Sequence, residues 1–120
     1  EYITPSVCSV VFGELEMASS GPTEVELEAA GVDYKGVTFM MSGNSRAVAE
    51  GASRGFCKVL IHNEKRNILA VHLMGSSASE IIAIAQVWLD NGFTVERALA
   101  TVMPHPGFCE ILQSALRELL

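Results

Sequence analysis

Hydrophobic positions follow two rhythms along this chain. Residues 6–12 (SVCSVVF), 33–41 (DYKGVTFMM), 55–62 (GFCKVLIH) and 68–74 (ILAVHLM) are short apolar or β-branched runs that predict strands. The last two flank the polar stretch Asn63-Glu64-Lys65-Arg66-Asn67, a loop of hairpin length, so they are expected to pair antiparallel. The helical rhythm shows first after Pro22. There Thr23 and Glu26 have the spacing of a capping box, and Gly31 can take the left-handed conformation that ends a helix. Asn44-Ser45-Arg46-Ala47 leads through a short polar and small-residue stretch to a glycine-bounded break. From Ser77 onward the chain reads as helical. Ser77 and Glu80 suggest another capping box, Asp90-Asn91-Gly92 is a stop signal, Thr94 caps a short helix through Leu99, and a last helix is predicted from near Pro106. The fold class that follows is α+β, an antiparallel β-sheet covered by helices, with residues 1–120 forming one domain without linker or repeat.

Two of these helices differ in how much apolar surface they carry. Phe108, Ile111, Leu112, Ala115, Leu116 and Leu119 make one stripe, with Glu110, Gln113, Arg117 and Glu118 off it, the pattern of a helix lying on a sheet. In the helix over residues 77–90, Ile81, Ile84, Ala85, Trp88 and Leu89 form a core face. Ile82, Ala83 and Val87 lie on its other sides, interrupted only by Gln86. Such a helix is expected to be buried on two sides, one of them against a second subunit, which predicts a homodimer.

Composition narrows the function. Hydrophobic residues make up 49% and charged residues 18%, with a formal net charge of −6, so no basic surface for nucleic acid is expected. No uncharged apolar run approaches the ~18 residues of a membrane span. Cys8, Cys57 and Cys109 are odd in number and far apart, which implies no disulfide framework and a reducing, cytoplasmic setting; Cys8 and Cys57 are expected to be small buried hydrophobes. Without a signal peptide and with Glu at position 1, the sequence reads as a piece of a longer chain. There is no G-x-G-x-x-G or P-loop, so this piece is expected to hold no nucleotide cofactor of its own and to be inert alone. His62, His72 and His105 are scattered and predict no metal site; His72 is expected to be a hydrogen-bonded core histidine and His62 a solvated one.

The candidate chemistry lies in Thr101–Glu110, whose central histidine, His105, is flanked by Pro104 and Pro106. Two prolines fix the backbone, and Glu110, on the next helical turn, can reach back to the imidazole. A carboxylate on one ring nitrogen selects the tautomer and leaves the other nitrogen as a base. The competing reading is a histidine that only caps the helix beside a solvated glutamate, in a module that only dimerises. A Cys109–His105 nucleophile pair is the remote third, with no oxyanion loop to serve it.

The ordered set of motifs resembles the C-terminal dimerisation domain of the pyridine nucleotide-disulphide oxidoreductases, most closely their dihydrolipoamide dehydrogenase branch. The segments that carry the likeness are Val11-Phe12 with Glu16-Met17-Ala18 and Gly21, then Asn44-Ser45-Arg46-Ala47, then Gly55-Phe56-Cys57-Lys58-Val59. Ile68–His72 with Gly75, Ala78-Ser79-Glu80 with Ile81-Ile82, and His105-Pro106 with Glu110 complete it. The resemblance implies a parent with FAD and NAD domains preceding this one and a thiol or disulphide substrate such as lipoamide. His105 would be the acid–base given to the partner subunit's active site, and Glu110 its orienting carboxylate. Backbone at His105 and Pro106 would lie near the partner's flavin. Leu15, Met103, Gly107 and Cys109 depart from the family pattern, and Pro5 stands earlier than that pattern has it, so the pocket beside His105 differs. The same domain of a glutathione or mercuric reductase-like enzyme is the related alternative.

Overall fold

The computed structural model describes residues 8–120. Residues 6 and 7 of the first predicted strand, and Pro5, lie outside the described residues. Five strands form one fully antiparallel sheet: β1 (Cys8–Val11), β2 (Met17–Ser20), β3 (Tyr34–Met40), β4 (Phe56–His62) and β5 (Ile68–Met74), in the order β1-β2-β5-β4-β3. The β4–β5 hairpin sits near the centre, as the two apolar runs suggest, and all of its faces are covered. Cys57, Val59 and Ile61 point to the larger core, whereas Leu60 and Ala70 meet Leu27 on the opposite face. The register shifts between Leu60 and Ile61, leaving Leu69 without an opposite residue. That single insertion reverses the alternation, so Ile68 joins Val71 and Leu73 on the larger core.

Five helices complete the fold: α1 (Glu24–Ala29), α2 (Ser45–Ala49), α3 (Ala78–Asp90), α4 (Val95–Leu99) and α5 (Glu110–Arg117), with a 3-10 turn at Met41–Gly43 before α2. The Thr23 hydroxyl accepts the Glu26 N–H at 3.2 Å and Gly31 closes α1 at φ 70°, as expected. Thr94 likewise caps α4 through the Arg97 N–H at 3.2 Å. α3 and α5 cover one face of the sheet, and α1 covers the other.

Strand β2 has no counterpart in the sequence-based expectations, because Met-Ala-Ser-Ser carries no β-branched residue. Its small side chains serve packing. Ala18 and Ser20 are buried beneath α3, and the Ser20 hydroxyl donates to Gln86 Oε1 at 2.6 Å. At the end of this strand Gly21 turns at φ 88°, where a Cβ would collide with the Leu69 carbonyl oxygen, so glycine is required.

Other expectations need correction. Ser77 does not cap α3: its backbone is left-handed, at φ 63°, and its side chain makes no capping bond. Glu16 takes that role from the β1–β2 connection, accepting the Ser79 N–H at 3.3 Å and the Ser79 hydroxyl at 2.9 Å, a carboxylate at the positive end of the helix. The buried face of α3 is Ala78, Ile81, Ile82, Ala85 and Trp88, so Ile82 belongs to the core, while Ile84 and Leu89 are half-buried. Ala83 and Val87 are exposed on the outer side. The last helix starts at Glu110, not near Pro106, because residues 107–112 first pass through tighter i to i+3 bonds, Glu110 to Gly107 and Ile111 to Phe108. Gln113, off the apolar stripe, is nevertheless buried. Cys8 is exposed on the edge strand, contrary to expectation, whereas Cys57 is fully buried.

Candidate active-site loop

Between α4 and α5 the chain crosses as a loop whose tip is His105, joined to Pro106 by a cis peptide bond. Pro104 and Pro106 have no N–H to give, so side chains must hold the loop. At its start, the Trp88 indole N–H donates to the Thr101 hydroxyl at 3.2 Å, and the buried Gln113 amide donates to the Thr101 carbonyl at 2.7 Å. That bond explains why Gln113 is buried despite lying off the stripe. At its end, Glu110 Oε1 accepts both the Gly107 N–H, at 3.0 Å, and His105 Nδ1, at 2.8 Å. Gly107 is needed for this closure, since a Cβ there would lie 2.8 Å from the Pro104 carbonyl oxygen.

This places His105 and Glu110 together, with the imidazole 71% exposed and the carboxylate 27% exposed. The Gly107 N–H first, and the His105 ring after it, hold the Glu110 carboxyl below the usual glutamate range, against the opposing effect of burial. An ionised carboxylate only accepts, so Nδ1 carries the proton, and Nε2 is left as the basic nitrogen.

The depressed Glu110 pKa has a consequence for stability. A carboxylate with a lowered folded-state pKa contributes stability that is fully present above its unfolded value, ~4.3, and is lost as pH falls through the folded value. Glu110→Gln is therefore expected to reduce stability by a constant amount above about pH 5, with the gap closing in more acidic solution. Denaturant midpoints of both proteins measured from pH 2.5 to 7 check this, and a gap independent of pH would contradict it.

Signals that the sequence did not reveal lie at the start of α2 and in its N-cap. Asn44 is buried and donates through Nδ2 to the Gly107 carbonyl at 3.1 Å. Arg46 donates through Nη1 to the Pro106 carbonyl at 3.2 Å, its guanidinium 5.6 Å from the centre of the Phe108 ring and paired with Glu50. The other candidates lie apart from this loop. His72 is half-buried with both nitrogens used: Nε2 donates to the Pro22 carbonyl at 3.1 Å, which leaves Nδ1 to accept from the Ser19 hydroxyl at 2.9 Å. Half-buried His62 accepts the Glu64 and Lys65 N–H groups, each at 3.2 Å, and so closes the hairpin turn. Burial pushes the Cys109 thiol up, away from the thiolate a nucleophile needs. Among the described residues no three His, Cys, Asp or Glu side chains come together as a metal site, and no helix is long and apolar enough to cross a membrane.

Two clefts among the described residues do not fit a dinucleotide. One cleft, between the β1–β2 connection and the start of α3, is lined by Glu14, Glu16 and Glu80, a wall that repels a pyrophosphate. A second, under α1, carries Asp33 and Glu64 against the single cation Lys65. Neither has the glycine-rich helix entry that cradles phosphate.

Comparison with known proteins agrees with the fold. Residues 7–116 match the model of the pyridine nucleotide-disulphide oxidoreductase dimerisation domain. The chain is 40% identical over 106 residues to a dihydrolipoyl dehydrogenase of Trypanosoma brucei brucei, covering 88% of this chain and 22% of that one. It is 37% identical over 113 residues to a dihydrolipoyl dehydrogenase of Thermus scotoductus, covering 94% of this chain and 24% of that one. The chain thus spans under a quarter of the length of these relatives. Among solved structures, LpdA of Mycobacterium tuberculosis superposes with a TM-score of 0.88 at 24% identity, over 95% of this chain and 25% of that one. The HOCl-induced flavoprotein disulfide reductase of Escherichia coli does so with a TM-score of 0.88, also at 24% identity, over 93% of this chain and 26% of that one. With a five-stranded antiparallel sheet, its helical cover and a family match across nearly its whole length, the chain belongs to the dimerisation-domain family of the pyridine nucleotide-disulphide oxidoreductases.

Proposed function

We propose that this chain is the dimerisation domain of a dihydrolipoamide dehydrogenase-like disulphide oxidoreductase, and that it gives the His105–Glu110 pair to the active site of a second subunit. The observation that carries the reading is the exposed imidazole, fixed through Nδ1 at 2.8 Å by Glu110 and with its other nitrogen uncommitted. Among the described residues neither cleft above includes His105 and the nearby Cys109 thiol is held protonated, which supports chemistry shared with another surface. In the parent enzyme FAD and NAD would carry the electrons between pyridine nucleotide and disulphide. They would be held by domains outside this sequence, with the His105–Pro106 backbone as the edge of this chain nearest the flavin.

His105 Nε2 would take the proton of a substrate or enzyme thiol, giving the thiolate that attacks a disulphide, and would return a proton to the departing sulphur. The ionised Glu110 holds the ring in the required tautomer and offsets the charge it gains. Self-association as a homodimer agrees with the outer side of α3, where Ala83 and Val87 are exposed. The three cysteines, none of them in a disulfide, suit a reducing cytoplasmic setting. Alone, the chain would be inactive.

The test of the reading is complementation between subunits of the full-length enzyme. A mixed dimer of a His105→Gln subunit with a subunit lacking its own redox disulphide contains one site with every part present. It is expected to show about half the turnover of the wild-type dimer. Mixed dimers as inactive as either parent would show that the histidine acts within its own subunit, or not at all.

A further inference from the structure

We propose that Asn44 is a positioning residue for the acid–base His105, acting by holding the backbone that follows the histidine. The inference rests on the role of His105 proposed above. Asn44 is 3% exposed and uses both ends of its amide. Oδ1 accepts the Ala47 N–H at 3.0 Å and so caps α2, while Nδ2 donates to the Gly107 carbonyl at 3.1 Å and faces the Phe108 carbonyl at 3.4 Å. Arg46, two residues along, takes the Pro106 carbonyl. Three consecutive carbonyls directly after His105 are therefore held by two side chains, the N-cap of α2 and a residue of its first turn.

The arrangement answers a need created by the sequence. His105 lies between two prolines, so the peptide N–H groups that would otherwise tie the turn are missing at positions 104 and 106. Glu110 restrains the imidazole and the Gly107 N–H, but its bonds fix the turn from the α5 side only. Asn44 supplies the opposite anchor from across the sheet end, 63 residues away in sequence. Without its donor, the Gly107 carbonyl keeps only the Glu110 N–H from the α5 side, and the loop can settle with the imidazole displaced while Glu110 still follows it. A displacement of this kind weakens proton transfer, because transfer requires hydrogen-bond reach to the reacting sulphur.

Asn44→Ser separates the two functions of the amide. Serine still caps a helix, so α2 is kept, but it is too short to donate to Gly107. In the full-length enzyme, Asn44→Ser is expected to lower kcat on the order of 10-fold with the KM for pyridine nucleotide unchanged. Placed on His105→Gln, it should lower kcat no further, since the group it positions is already gone. Arg46→Gln, at a solvent-facing position, should lower kcat in the same sense and serves as the second variant should Asn44→Ser fold poorly. Wild-type kcat in both variants would overturn the proposal, as would a loss that multiplies fully with that of His105→Gln. The His105→Gln enzyme alone reports on the parent reading: if it turns over normally, that reading fails, whereas a slow His105→Gln beside a normal Asn44→Ser removes only the role of Asn44.

Discussion

Replacing His105 by glutamine in the full-length enzyme is expected to lower thiol-dependent turnover by ~100-fold or more, the usual contribution of a positioned acid–base. The loss corresponds to ~2.7 kcal/mol of transition-state stabilisation. Glutamine suits the question because its amide can still donate to Glu110, and because the ring it replaces is largely exposed and supports no core packing. The fold and the loop are therefore retained and the missing element is a group that can accept and release a proton. Thermal midpoints of the two enzymes should agree closely while kcat falls. Turnover equal to wild type would show that the imidazole is only a cap on the 107–110 turn, the role of a module that dimerises without taking part in chemistry.

The parts of this molecule that were legible in its sequence are those governed by near neighbours. The β4–β5 hairpin follows from two apolar runs around a polar loop, and the caps at Thr23 and Thr94 need only residues three positions on. The His105–Glu110 bond is of the same kind, five residues apart within one turn. What the sequence concealed depends on contacts across the fold. β2 is built of small residues because α3 presses on it, so it lacks the bulk by which a strand is recognised. Ser77 has the composition of a cap, yet its backbone turns left-handed and Glu16, from the β1–β2 connection, occupies the helix end instead. The same holds for the site. Asn44 and Gln113 have the polarity of surface residues, and both are buried because each has a loop carbonyl to satisfy. Periodicity assigns polar side chains to solvent by default and has no means of locating a distant peptide group.

The largest expected loss of stability comes from Trp88→Ala. Trp88 is 2% exposed at the centre of the larger core, between the sheet and the segment leading to His105. Truncation of a buried tryptophan to alanine costs ~3–5 kcal/mol, through lost transfer free energy and the cavity left behind. Against a total of ~5–15 kcal/mol for a domain of ordinary stability, that removes a large share. The indole N–H adds a second effect, because its loss leaves the Thr101 hydroxyl without a donor at the start of the active-site loop. Trp88→Phe keeps most of the packing and isolates that bond, so it should cost far less, ~1 kcal/mol for the hydrogen bond plus a part for the smaller ring. Val87→Ala, one residue earlier, supplies the control: Val87 is 56% exposed, and in the dissociated chain its truncation should change stability by no more than ~0.5 kcal/mol. Urea midpoints of the three variants thus measure how α3 is rotated on the sheet. Similar losses for Val87→Ala and Trp88→Ala would mean that the helix faces the core differently, and with it the anchor of Thr101 would move. Because Thr101 joins Trp88 and Gln113 to the loop, the rotation of α3 also sets where the imidazole is presented, and the stability of the core and the placement of the proposed acid–base depend on the same side chain.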